Sequence, residues 1–246
     1  MTIDFDRALE RALAEGDDWI CRRALRLSGE GVAGGAAPPR QDATGGFPGP
    51  SGRLSPGATG AALCHLVVVG AGQSPAAVIA ADWLEQARTP AAAWLDAPED
   101  VPGGLDDYGG GRVWATAAAA CALLAVQRDP GARALRLLAT ETDQEGHFTG
   151  GAYPTFAAAA AYWLAEGPRT EIAEWGLRWA REWSEEWWGP PERITALTFW
   201  AAANVPGEHE SVEGFIEELT DSSPPTGWPD LDLTLRCLEL LRHFQG

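Results

Sequence analysis

At 246 residues with 46% apolar side chains, the chain is long enough to bury a substantial core within one domain, at most two. Its net charge of −17, with arginine as the only strong base and no lysine, sets an average field that repels nucleic acid and anionic membrane surfaces. No apolar run is long enough to cross a bilayer, and the amphipathic start "MTIDFDRALERALAEG" lacks the apolar stretch of a secretory signal, so a cytoplasmic location is expected. Cys21, Cys64, Cys121 and Cys237 show no paired metal spacing; they read as reduced, buried small hydrophobes, with no zinc site and no organic cofactor expected.

In chain order, Phe5, Leu9, Leu13, Ile20, Ala24 and Leu27 form one apolar stripe on a helix. A Gly/Pro-rich stretch with an aromatic and a threonine then leads into a small-residue helix, "GGFPGPSGRLSPGATGAALCHLVVV". Four more segments repeat that pattern: "GGGRVWATAAAACALLAV", "GHFTGGAYPTFAAAAAYWLA", "WWGPPERITALTFWAAA" and "TGWPDLDLTLRCLELL". Their threonines are Thr59, Thr116, Thr155, Thr195 and Thr234, separated by 57, 39, 40 and 39 residues. The long gap contains an extra Gly/Asp-rich stretch, "DAPEDVPGGLDDYGGG". Between the small-residue helices lie polar-faced ones with start signals. Ser74 and Pro75 open "SPAAVIAADWLEQAR"; Asp129 and Pro130 open "DPGARALRLLA"; "GPRTEIAEWGLRWAREW" and "EHESVEGFIEEL" carry their acids early.

Each unit of about 40 residues is thus a polar-faced helix, a Gly/Pro/aromatic turn and a uniformly apolar helix. The expected fold is all-α: an (α/α) toroid of about five helical hairpins, ten helices, spanning residues 1–246 as a single domain. Inner Ala-rich helices are shielded by outer amphipathic ones, and no convincing strand pattern appears. A linear solenoid has a similar period, but the alternation of layers and the recurrence of the turns at one end of every inner helix favour a closed or nearly closed ring.

The turns "QDATGGF" (41–47) and "DQEGHF" (143–148), each leading into a small-residue helix, are similar to the glutamine-to-aromatic repeats of squalene-hopene cyclases. Through its repeat the chain resembles the terpenoid cyclase/prenyltransferase α/α-toroid superfamily, closest in pattern to class II terpene cyclases. The family's D-x-D-D-T-type motif falls on Asp230-Leu231-Asp232-Leu233-Thr234, with Leu233 replacing the last aspartate. The resemblance implies Asp232 as the acid that protonates an alkene of a linear isoprenoid, possibly a prenyl diphosphate in the family's usage, with Asp230 assisting. The D-x-C zinc motif of protein prenyltransferases is absent.

Two readings of Asp230 and Asp232 stand side by side. Acids in a first turn meet free N–H groups and the helix dipole, worth about 0.3–1 kcal/mol each. Yet at the positions two and four residues before the aligned threonines only the fifth unit has a carboxylate, so capping alone does not require acids there. Proton donation needs an apolar surround that keeps the carboxyl protonated. A cation needs π-faces, for which Trp114, Tyr153, Phe156, Phe199 and Trp228 are placed on or beside inner helices; core packing is the plainer account of most of them. Arg112 lies where it could meet a phosphate, and Asp106 and Asp107 in the inserted loop are of a type that holds Mg²⁺ against a diphosphate, solvated loop charge being the alternative. The expected function is a class II-like terpene cyclase. The second expectation is a non-catalytic toroid that binds a hydrophobic ligand, or a partner protein or second copy covering its open end.

Overall fold

The computed structural model describes residues 3–30, 38, 40–102 and 108–245. Polar caps set most helix starts. Asp4 accepts the Arg7 amide at the start of α1 (Phe5–Glu15), and Asp17 accepts that of Ile20 at the start of α2 (Asp18–Leu27). Ser55 and Ser74 cap α3 (Pro56–Val68) and α4 (Pro75–Ala87), each followed by a proline whose missing N–H would have no helical partner. The remaining helices are α5 (Tyr108–Ala125), α6 (Ala132–Thr140), α7 (Ala152–Glu166), α8 (Glu171–Trp187), α9 (Pro190–Ala202), α10 (Glu210–Ser222) and α11 (Leu231–Gln245). The chain is all-α, with eleven α-helices among the described residues where ten were expected.

Three local expectations are corrected. The N-terminal stripe is carried by two helices, because the Asp17 carboxylate takes the Ile20 N–H (2.9 Å) and starts a new helix there. Helix α6 begins two residues late: Asp129 accepts the Gly131 N–H (2.7 Å), and Gly131, at φ +86°, is the residue that enters the helix. A two-residue antiparallel hairpin, β1 (Phe47–Pro48) with β2 (Leu54–Ser55), precedes α3.

The layers follow the alternation of helix types. In the inner layer α3 packs on α5, α5 on α7, α7 on α9, and α9 returns to α3. Small residues allow this. Alanines 117–120 of α5 and 157–161 of α7 are fully buried, and a Cβ on Gly60 of α3 would sit 2.5 Å from the Ala118 backbone. Helices α4 and α6 each pack on the inner helices before and after them, α8 packs on α7, and α10 on α9 and α8. Among the described residues α3, α5, α7 and α9 thus form a closed cycle of contacts. Helix α11 packs against α9, α2 and α1 and touches α3 little.

The repeated threonines are clamps. Thr59 Oγ1 accepts the N–H of Phe47 (2.8 Å), Thr116 that of Trp94 (3.1 Å), Thr155 that of Phe148 (3.0 Å) and Thr234 that of Trp228 (2.9 Å). Thr59, Thr155 and Thr234 also donate to the carbonyl four residues back, while Thr116 donates to Trp94. Each ties the aromatic residue of the entering turn to its inner helix. Thr195 makes only the carbonyl bond, to Pro191.

The turns at 42–47 and 143–148 are the same structure, D-x-x-G-x-F. In each the aspartate N–H bonds the carbonyl four residues on, and its carboxylate accepts the N–H two residues on. Gly45 (φ +104°) and Gly146 (φ +89°) lie against the backbones of α4 and α8, where a Cβ would be 2.3 Å from Ile79 or Trp175. The shared residues are the aspartate, glycine and aromatic. Gln41 precedes its aspartate and donates to Ala76 O (2.8 Å), whereas Gln144 follows Asp143, so the glutamines are not equivalent.

Thr155→Val should leave the buried Phe148 N–H without an acceptor and cost about 1–3 kcal/mol in urea unfolding, whereas Thr195→Val should cost within about 0.5 kcal/mol. Equal losses would show that the clamp is not what the repeat preserves.

Candidate functional site

Because α11 is displaced from the ring, a cleft of about 660 Å³ opens between α2, α3 and α11. Trp19, Ile20, Phe47, Leu66 and Leu231 supply its apolar wall; Glu15, Asp17, Arg40, His65, Asp230, Asp232 and Arg236 supply its polar groups. A volume of this size, with one apolar wall and several polar side chains, suits a small amphiphilic molecule.

A buried ionic network forms the floor. Arg23 of α2 donates to both oxygens of Glu239 of α11, at 2.8 and 2.7 Å, and to Asp232. His65 of α3 donates from Nε2 to Glu239 (2.8 Å), the carboxylate being able only to accept. Burial alone would raise the Glu239 pKa, but Arg23 and His65 outweigh it and hold it at about 2. Burial pushes His65 below its ordinary value, so it is neutral near pH 7.

Asp230 and Asp232 both line the cleft, in different settings. Burial would raise Asp232, yet Arg236 (2.9 Å) and Arg23 bring its pKa below the ordinary carboxylate range, and the side chain is 42% exposed. It is an ionised carboxylate between two guanidiniums. Asp230 is exposed and accepts the N–H groups of Asp232 (2.8 Å) and Leu233 (3.2 Å), the work of a helix N-cap. The position four residues before the threonine is also the cap at Ser55 and Gly151, which accounts for Asp230 without chemistry.

Four of the expected aromatic residues do come together, away from these aspartates. Trp114 meets Tyr153 (6.1 Å) and Phe199 (5.9 Å) nearly edge to face, and Tyr153 meets Phe156 (5.9 Å). Trp114, Phe156 and Phe199 are fully buried and none of the four lines the cleft, so they act as packed core where the ends of α5, α7 and α9 gather. Trp228 is apart: its carbonyl accepts Arg11 (2.7 Å), and its ring meets no other aromatic ring among the described residues. Arg112 is committed to Glu141. Asp106 and Asp107 lie outside the described residues. Of the neighbouring acids, Glu99 pairs with Arg53, and Asp100 is buried accepting the Ser51 N–H (2.9 Å). Among the described residues no group of three or more His, Cys, Asp or Glu side chains converges as a metal site.

Asp96 was not singled out from the sequence. Its carboxylate accepts the Ser55 hydroxyl (2.8 Å) and the Gly57 N–H (3.0 Å) at the start of α3. Burial pushes its pKa up to about 7 despite those two hydrogen bonds, and Asp100 adds to the rise. A Cβ on Gly57 would lie 2.0 Å from Trp114 Nε1 and 2.5 Å from the Asp96 carboxylate, so this glycine lets the two approach. The available signal was its place two residues after the clamped Trp94, matching Asp230 after Trp228. Arg23, His65 and Glu239 carried no such signal.

No protein-family model matches the chain, and no curated protein matches it.

Two pH profiles test these assignments. Glu239 is depressed in the folded state, so its contribution is present above its ordinary value of 4.5 and is lost as pH falls toward about 2. Glu239→Gln should cost about 3–5 kcal/mol near pH 7 by leaving Arg23 buried without its partner, and should flatten the acid limb of stability against pH. Asp96 is raised, so its contribution is present below 3.8 and lost as pH rises through about 7. Asp96→Asn should remove that decline and gain stability relative to the parent at pH 8 over pH 5, read from thermal melts.

Proposed function

We propose that the protein binds a small amphiphilic molecule, an apolar chain with an anionic head, in the cleft between α2, α3 and α11. The observation that carries this reading is that two arginines at the cleft, Arg40 and Arg236, are not fully committed within the fold. Glu15 pairs with Arg11, Asp17 and Asp230 cap helices, and Asp232 is held by two arginines. Arg40 has no acidic partner among the described residues. Arg236 is paired with Asp232 at 2.9 Å, but its buried Nε makes no hydrogen bond among the described residues and its side chain as a whole is 38% exposed. Charge-assisted bonds from two such groups suit a carboxylate or phosphate head, and Trp19, Phe47 and Leu66 suit its chain. A prenyl diphosphate is one molecule of this kind.

Acid-initiated cyclisation is the second reading. Asp96 favours it more than Asp232 does, since it is the carboxyl raised to about 7 and it lies beside Trp114.

Trp19 provides the probe. Geranylgeranyl diphosphate and palmitate should each change tryptophan emission saturably, the change should vanish in Trp19→Phe, and geranylgeraniol should bind about tenfold more weakly or less. Arg236→Gln should erase the preference for the charged heads. Absence of saturable binding by both anionic amphiphiles would overturn the binding reading. Chromatography of the diphosphate incubations, with Asp96→Asn and Asp232→Asn alongside, tests cyclisation: a cyclic product lost in only one variant identifies its acid.

A further inference from the structure

A second, smaller cleft of about 350 Å³ lies across the Arg23–Glu239 pair from the first, between the C-terminal ends of α2, α3 and α11. Arg23, Arg26, Arg242 and His243 border it, and its one acid is Glu239. That acid is spent on Arg23 and His65. In a chain of net charge −17, three arginines and a histidine around one neutralised acid make a local inversion of the field.

The ordinary reason for arginines at helix C-termini is to cap free carbonyls. Here that reason is mostly absent. The carbonyls of Ala24, Leu25 and Arg26 accept the N–H groups of Ser28, Glu30 and Gly29; those of His65, Leu66 and Val67 accept Val69, Ala71 and Gly70. Only Leu27 O is taken by Arg242. Arg26 has no acidic partner among the described residues. Gly70, at φ +67°, presents no side chain to it; a Cβ there would lie 3.0 Å from Arg26 Nη2.

We propose that this cleft binds a phosphate group, held by Arg26 and Arg242 with His243 beside them, independently of what occupies the larger cleft. The volume admits phosphate, diphosphate or the phosphate end of a small ester, but not a long apolar chain as well. The charged groups bordering His243 are Arg23, Arg26, Arg242 and Glu239, and burial holds the ring below its ordinary pKa. A bound anion adds negative charge beside the imidazole and moves that titration upward.

The test is calorimetric titration of the full chain with inorganic phosphate, diphosphate and glycerol 3-phosphate, with sodium chloride at matched ionic strength as the control. Saturable binding of at least one is expected, about tenfold weaker in Arg26→Gln, together with an upward shift of the His243 titration by NMR. Tighter binding of glycerol 3-phosphate than of phosphate would assign the site to an ester, and the reverse to a free anion. Arg26→Gln removes no side-chain hydrogen bond or ion pair among the described residues, so an unchanged melting temperature shows that lost binding is local. No saturable binding up to ~10 mM, or binding unchanged in both Arg26→Gln and Arg26→Gln/Arg242→Gln, would overturn the proposal.

Discussion

The buried pair of Arg23 and Glu239 is the contact on which the rest of the arrangement turns. It joins helices α2 and α11, and His65 brings in α3 through the same carboxylate. Two charges taken out of water gain little net stability over apolar packing of equal volume, but losing either partner strands the other. Such a pair therefore acts chiefly on position. Three nitrogens of Arg23 meet Glu239 and Asp232 at once, which ties the position of α11 to that of α2. That position leaves α11 outside the four-helix ring and leaves a cleft on either side of the pair.

The same pair decides the chemistry of the residues around it. Asp232 and Asp96 are both partly buried aspartates at helix starts, and their proton affinities move in opposite directions. Arg23 and Arg236 outweigh burial at Asp232; at Asp96 two neutral donors do not, and no guanidinium stands nearby to help. A carboxylate can be a donor, a cap or half of an ion pair depending on which charges lie within a few ångströms. Asp230, two residues before Asp232, is a cap.

The repeat served two purposes that look alike in sequence. Its threonines, spaced about 40 residues apart, clamp the entering aromatic residues, and its glycines in D-x-x-G-x-F turns let the chain lie against an outer helix. Both are backbone requirements, which is why they recur although the residues between them differ. Other aromatic rings pack within the inner layer: Trp114 meets Phe199, and Phe156 meets Trp200, edge to face and fully buried.

Helix identity, the division into inner and outer helices and most starting residues were determined by the sequence alone, because periodicity, Ser and Asp caps and proline positions act over a few residues. Where those rules compete locally, as at Gly16-Asp17 and Pro130-Gly131, the backbone chose between them and the boundary moved. The site was a matter for the tertiary structure. Arg23 meets Asp232 across 209 positions of sequence and Glu239 across 216. No local pattern carries such a pairing, since Coulomb energy depends on distance in space and on the solvent left between the charges. The motif at 230–234 placed two aspartates at a cleft; the fold brought Arg23 and Arg236 against one of them, which no local pattern announces.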